Sequence, residues 1–171
     1  MADIDAYKDK FSDSGQRILE NALDESKKRD QNYITIGHIL NALTVEESDL
    51  FNDTMRDLAI DPRTVKMLIE KRIENGRQHT GKGFRIAPET TELFKKAMDR
   101  ARGQGRRVID ASDIFYVMSN DDRSLLNDVL RNLGVPPDEV AQTARTRIRK
   151  REKEEERTRK KYELPSFLRH F

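Results

Sequence analysis

The sequence contains no cysteine. That excludes disulfides, thiolate metal sites and a cysteine nucleophile. It has no apolar run approaching the roughly 18 residues that would cross a bilayer, and its first residues, Met1 to Asp5, lack the basic stretch followed by an apolar one that marks a secretory signal. The expected compartment is therefore the cytoplasm. Histidine is scarce: His38, His79 and His170 lie far apart and none sits at metal-ligand spacing from another. Strand-like alternation is also missing. Tyr33-Ile34 and Val108-Ile109 are short apolar approaches that read as packed loop.

Charge is what the sequence has in quantity. Charged residues make up 37% and apolar residues 35% of 171, which suits a helical domain with a solvated surface and one real core. The isoelectric point of about 8.8 is a local effect. Between Arg145 and Glu163 stand ten basic and five acidic residues, a net of +5, so the rest of the chain carries −3. Basicity confined to one segment argues against a nucleic-acid footprint spread over the domain. The segment also lacks interleaved aromatics for base stacking and an apolar face for a membrane. It reads as a solvated helical connector with i,i+4 pairs such as Glu155–Arg159 and Glu156–Lys160. A basic helix that binds nucleic acid is the alternative.

The chain is written twice. Shifted by 75 positions, residues 11–73 fall on 86–148 without a gap, so that Ala22 meets Ala97, Ile34 meets Ile109, Leu58 meets Leu133 and Pro62 meets Pro137. Register held over some 60 residues marks a duplicated unit. Each copy predicts four helices. The first starts near Ser12 or Asp13 in one copy and at Pro88 in the other. The second spans Thr35–Leu43 or Asp110–Met118, with Thr35 and Asp110 as N-caps. The third spans Ser48–Leu58 or Arg123–Leu133; Gly134 suits a left-handed cap after it and Ala59 does not. The fourth opens at Pro62 or Pro137. The expected fold is all-α: two pseudo-twofold-related four-helix repeats plus a charged C-terminal helical connector. Its predicted parts are an N-terminal tail (1–10), repeat one (11–75), a glycine-rich linker (76–85), repeat two (86–148) and the connector (149–171).

Candidate chemistry is thin. Gly76 to Lys82 approaches a phosphate-binding loop, but Gly83 stands where a magnesium-binding hydroxyl belongs and the segment follows a helix. A flexible linker is the better reading, and no cofactor is expected in this segment. His38 closely follows an N-cap, which suggests a packing or polar-contact role. Glu46-Glu47 and Asp121-Asp122 occupy one loop in both copies and read as solvated turn residues without calcium-ligand spacing. What remains is apolarity ahead of each first helix. Phe11, Phe84, Arg85, Ile86 and Glu89 are the candidate peptide- or adaptor-binding positions in a groove between the copies; Phe11 and Ile86 equally suit hydrophobic staples.

The run from Ile34 to Leu43, with Phe11-Ser12 before it and Leu58-Ala59-Ile60-Asp61 after it, resembles the Clp repeat domain. The second copy carries the same pattern in Ile109 to Phe115 and Leu133-Gly134-Val135-Pro136. Leu164 to Phe171 is similar to the segment that leads from this domain into the first ATPase module of Clp unfoldases. The resemblance implies the N-terminal piece of a Clp-type AAA+ protein, non-catalytic itself. ATP and magnesium would belong to an AAA+ module of the same chain, hexameric in the parent. It implies unfolded or tagged substrates, or adaptor proteins, as partners; a stand-alone Clp-repeat adaptor is the alternative. In the ClpC branch an acidic residue precedes the His of this motif and helps hold phosphorylated arginine. Gly37 and Ser112 stand there in this chain, so phosphoarginine recognition in that manner is not expected.

Overall fold

The computed structural model describes residues 2–3, 7–74 and 85–162. Helices α1 (Asp13–Lys28), α2 (Ile36–Glu46), α3 (Ser48–Asp57) and α4 (Pro62–Glu74) form the first repeat. Helices α5 (Pro88–Gly103), α6 (Ala111–Asn120), α7 (Leu125–Asn132) and α8 (Pro137–Tyr162) form the second. Their starts follow local chemistry. The Ser12 hydroxyl accepts from the Gly15 amide, Thr35 from that of His38 and Ser124 from that of Asn127, while Pro88 opens α5 without an amide to orphan.

The two repeats embrace through an approximate twofold. Helix α3 packs on α8 as α7 packs on α4, and α1 meets α6 as α5 meets α2. Their central helices, α2 and α6, bury Ile39, Leu40, Leu43, Ile114, Phe115 and Met118 in one continuous core. Backbone pairs tie the seam with the same symmetry. The Ala87 amide donates to the Ile34 carbonyl at 3.0 Å, and its counterpart, the Ser12 amide, donates to the Ile109 carbonyl at 2.9 Å.

The fold is all-α as expected, but that seam corrects the reading of Tyr33-Ile34 as packed loop. Tyr33–Ile34 is a short strand, β2, running parallel to β3 (Arg85–Ile86), and β1 (Ala2–Asp3) adds antiparallel on the other side. Phe11 makes an isolated bridge to Ile109. These strands are too short to show alternation, so the sequence carries no period-2 signal for them. The segment before residue 11 is not merely a tail either: Tyr7 packs its ring 5.5 Å from that of Phe94.

Ala59 departs from expectation too. It takes a left-handed φ of 59° where Gly134 takes 86°. Both ends close with equivalent bonds, Ile60 amide to Met55 carbonyl and Val135 amide to Leu130 carbonyl, each 2.9 Å. The shared turn geometry overrides alanine's reluctance, at a cost of about 1 kcal/mol. Gly15 has a different constraint. A Cβ there would lie 2.5 Å from the Ile109 carbonyl oxygen, so only glycine lets α1 approach the sister repeat so closely. At the equivalent position Thr90 keeps its distance and donates its hydroxyl to the Ile34 carbonyl at 3.0 Å.

The duplication ends at residue 148 within a helix. Helix α8 continues unbroken to Tyr162. Its turn at Arg151 and Glu152 bonds back to the domain, and residues 153–161 are exposed. The glycine-rich linker, Phe84 and the final residues from 163 lie outside the described residues.

Candidate functional site at the repeat seam

Helix starts and ends from both repeats converge on one side of the seam and leave an open cleft. It consists of two adjoining hollows of about 380 and 300 Å³ that share Ile36, Glu89 and Leu125. Ile36, Leu93, Val117 and Leu125 supply apolar surface. Glu89, Glu92 and Asp121 face Lys96 and Arg123 around the rim. Behind it the first turn of α2 meets the end of α4, where a Cβ on Gly37 would touch Ile73 at 3.0 Å. An apolar floor with a mixed-charge rim suits an extended peptide: apolar burial supplies affinity and the rim charges fix register.

His38 forms the inner wall and is structural. Only 2% of it is exposed. Its Nδ1 accepts from the Thr35 amide at 3.0 Å, and its Nε2 lies 2.7 Å from Gln31 Oε1, which makes Nε2 the protonated nitrogen. Gln31 in turn donates to the Ile73 carbonyl. Burial, and next the charge of Arg29, pull the His38 pKa down to about 4. With both nitrogens engaged, the imidazole is available neither as a base nor as a ligand. Among the described residues, no group of three or more His, Asp or Glu side chains could hold a metal.

The same place in the second repeat is built from different chemistry. Asp113 stands where His38 does and likewise accepts from its N-cap amide, that of Asp110, at 2.8 Å. Arg106 stands where Gln31 does. The neutral Gln–His pair is thus an ionic Arg–Asp pair, joined by Arg100 at 2.9 Å. Asp113 is fully buried. Glu152 of α8 completes the group, accepting from Arg100 at 2.7 and 2.9 Å and from Arg106 at 3.1 Å, with the Ser112 hydroxyl at 3.4 Å. Beside it the Asp110 carboxyl would be pushed up by burial, but hydrogen bonds from Ser12 and Ser14 hold it below the usual carboxylate range.

Several expected site residues fall elsewhere. Phe11 and Ile86 are 3% and 0% exposed. Each pairs with the sister repeat, and Phe11 stacks edge-on against Phe94 at 5.0 Å. They form the seam, because the residues ahead of each first helix cross into the other copy's core. Arg85 is exposed on β3. Glu89 is in the cleft wall. Glu47 is more than a solvated turn residue: its carboxylate takes Arg151 in two bonds of 2.5 and 2.9 Å. Sequence reasoning missed Ile36, Val117 and Leu125. Leu125 carries a signal, since it sits one position ahead of the buried stripe Leu126, Val129 and Leu130 and directly after its cap Ser124.

Two four-helix repeats locked across a pseudo-twofold, with a cleft at their junction, define a tandem-repeat helical domain. Residues 10–114 match the Clp repeat (R) N-terminal domain family, and the chain belongs to it. The negative regulator of genetic competence ClpC/MecB of Bacillus subtilis (strain 168) is 24% identical over 126 residues, 74% of this chain. The match spans only 15% of that relative's length. Among solved structures, the Hsp104 N-terminal domain from Candida albicans superposes with a TM-score of 0.67 at 14% identity, covering 78% of this chain and 88% of that one. The N-terminal domain of the caseinolytic protease associated chaperone ClpD from Arabidopsis thaliana gives 0.61 at 16% identity, covering 82% and 99%. At such identities the likeness is one of fold. No described helix is long and apolar enough to cross a membrane.

Proposed function

We propose that this chain is the non-catalytic docking module of a Clp-family ATP-dependent chaperone, holding apolar segments of unfolded or tagged proteins, or an adaptor, in the seam cleft. The observation that supports this most directly is the cleft itself: Ile36, Val117 and Leu125 are half-buried side by side and ringed by charges of both signs. Affinity from so small an apolar floor is modest and rests on a few contacts. ATP and magnesium would act in a hexameric AAA+ module of the parent, in the cytoplasm. Phosphoarginine recognition in the ClpC manner is not part of this function: Gly37 has no carboxylate, and Ser112 faces one that two arginines already hold.

The test is NMR titration of the ¹⁵N-labelled chain with an unfolded model polypeptide. Shifts should cluster on Ile36, Glu89, Val117 and Leu125, and Leu125→Asp should abolish them. Shifts confined to the exposed part of α8 would refute the proposal.

A further inference from the structure

The duplication makes two equivalent places, and only the second carries a pair of arginines. Arg100 and Arg106 are held in position from inside the domain. Buried Asp113 takes a bond from each, and Arg100 also lies 4.7 Å over the Tyr116 ring. Neither restraint involves α8. Three further N–H groups, two from Arg100 and one from Arg106, converge on a single carboxylate, that of Glu152. Such forked donors match carboxylate and phosphate oxygens.

We infer that Arg100 and Arg106 form a receptor for an oxyanion group, which Glu152 occupies in cis, and that this contact is a releasable latch for α8. Beyond Ile148, α8 meets the domain through few groups: Glu152 in this receptor and Arg151 on Glu47. The next residues, 153–161, are exposed and mostly charged, so their burial contributes nothing to holding the helix down. An anionic side chain or chain terminus on another protein that took Glu152's place would leave α8 held past Ile148 by Arg151 alone. It would thereby loosen whatever that helix orients. The first repeat lacks the device, since Glu25, Gln31 and His38 stand where Arg100, Arg106 and Asp113 do. The inference does not rest on peptide binding in the seam cleft.

Glu152→Ala vacates the receptor. The probes are sodium acetate and inorganic phosphate, each against sodium chloride at equal ionic strength. In the variant, either anion at tens of millimolar should raise Tm by about 3 °C more than chloride, and phosphate exceeding acetate would mark a phosphorylated rather than a carboxylate ligand. Wild type and Arg100→Met/Glu152→Ala should show no such difference. Backbone amides after Arg149 should exchange about tenfold faster in the variant than in wild type. Added acetate should not slow them, because it fills the receptor without redocking the helix. An anion response equal in all three proteins would overturn the receptor. Unchanged α8 exchange in Glu152→Ala, or in the isosteric Glu152→Gln should the alanine variant not fold, would overturn the latch.

Discussion

Lowering the pH from 7 to 4 should destabilise this domain through one side chain, His38. Its imidazole is neutral and buried, with Nδ1 committed to the Thr35 amide and Nε2 to Gln31. A proton on Nδ1 would leave two donors facing each other in the capping box and place a charge in the core beside Arg29. The folded pKa of about 4 lies below the ordinary 6.5. The stabilisation is therefore complete above pH 6.5 and is lost as pH falls from 6.5 toward 4. At about 1.4 kcal/mol per unit, the gap is worth roughly 3 kcal/mol by pH 4. Carboxylates held below their ordinary value of 3.8, such as Asp57 and Asp110, lose their contribution mainly at lower pH and leave this window to the histidine. Urea midpoints at pH 7, 6, 5 and 4.5 measure it. His38→Gln should flatten the dependence between 6.5 and 4.5, whatever its offset in stability at pH 7. An equal slope in both proteins would show that another group titrates, and the account of His38 as a neutral structural residue would be wrong.

Four further outcomes follow from packing and charge. Gly15→Ala should cost about 1–3 kcal/mol, because its new methyl meets a backbone carbonyl that cannot retreat without opening the seam; thermal melts would register it. Ala59→Gly should stabilise by about 1 kcal/mol and raise Tm by about 2–4 °C, since the left-handed turn is retained and the strain is relieved. Asp113→Asn should cost about 3 kcal/mol by leaving two partly buried guanidiniums short of an acceptor. Arg147→Ala, which breaks an exposed pair with Asp57, should cost under about 1 kcal/mol.

Much of the fold was legible because duplication doubles each local signal. The caps Ser12, Thr35 and Asp110, the prolines at 62, 88 and 137 and the apolar stripes all fall where the structure has helix ends and buried faces. The family was legible in Ile34 to Leu43. What escaped were features with no local cause. Phe11 and Ile86 resemble surface apolars until the sister repeat is placed against them, and two-residue strands exist only because the chain crosses between copies. Ala59 adopts a conformation that its own chemistry disfavours. The cleft residues come from five separate elements, so no stretch of sequence shows them together. The charged run after Ile148 was read from composition as solvated, whereas two of its residues, Arg151 and Glu152, find partners 104 positions away at Glu47 and 52 positions away at Arg100.

The two copies solve one local problem in two ways, and the difference reaches beyond the helix it caps. The third residue of α2 and of α6 must accept the N-cap amide while sitting in the core. In α2 a neutral imidazole does so, and a neutral glutamine suffices as its buried partner. In α6 a carboxylate does so, and a buried carboxylate needs cations. Two arginines supply them, and together they carry more donors than one carboxylate can accept. A second carboxylate must arrive from outside the repeat, and Glu152, one turn past the point where the duplication ends, is the group that does. Asp in place of His at one capping position thus creates a demand that α8 meets by running on across the domain, whereas the neutral pair of the other copy is satisfied within its own repeat.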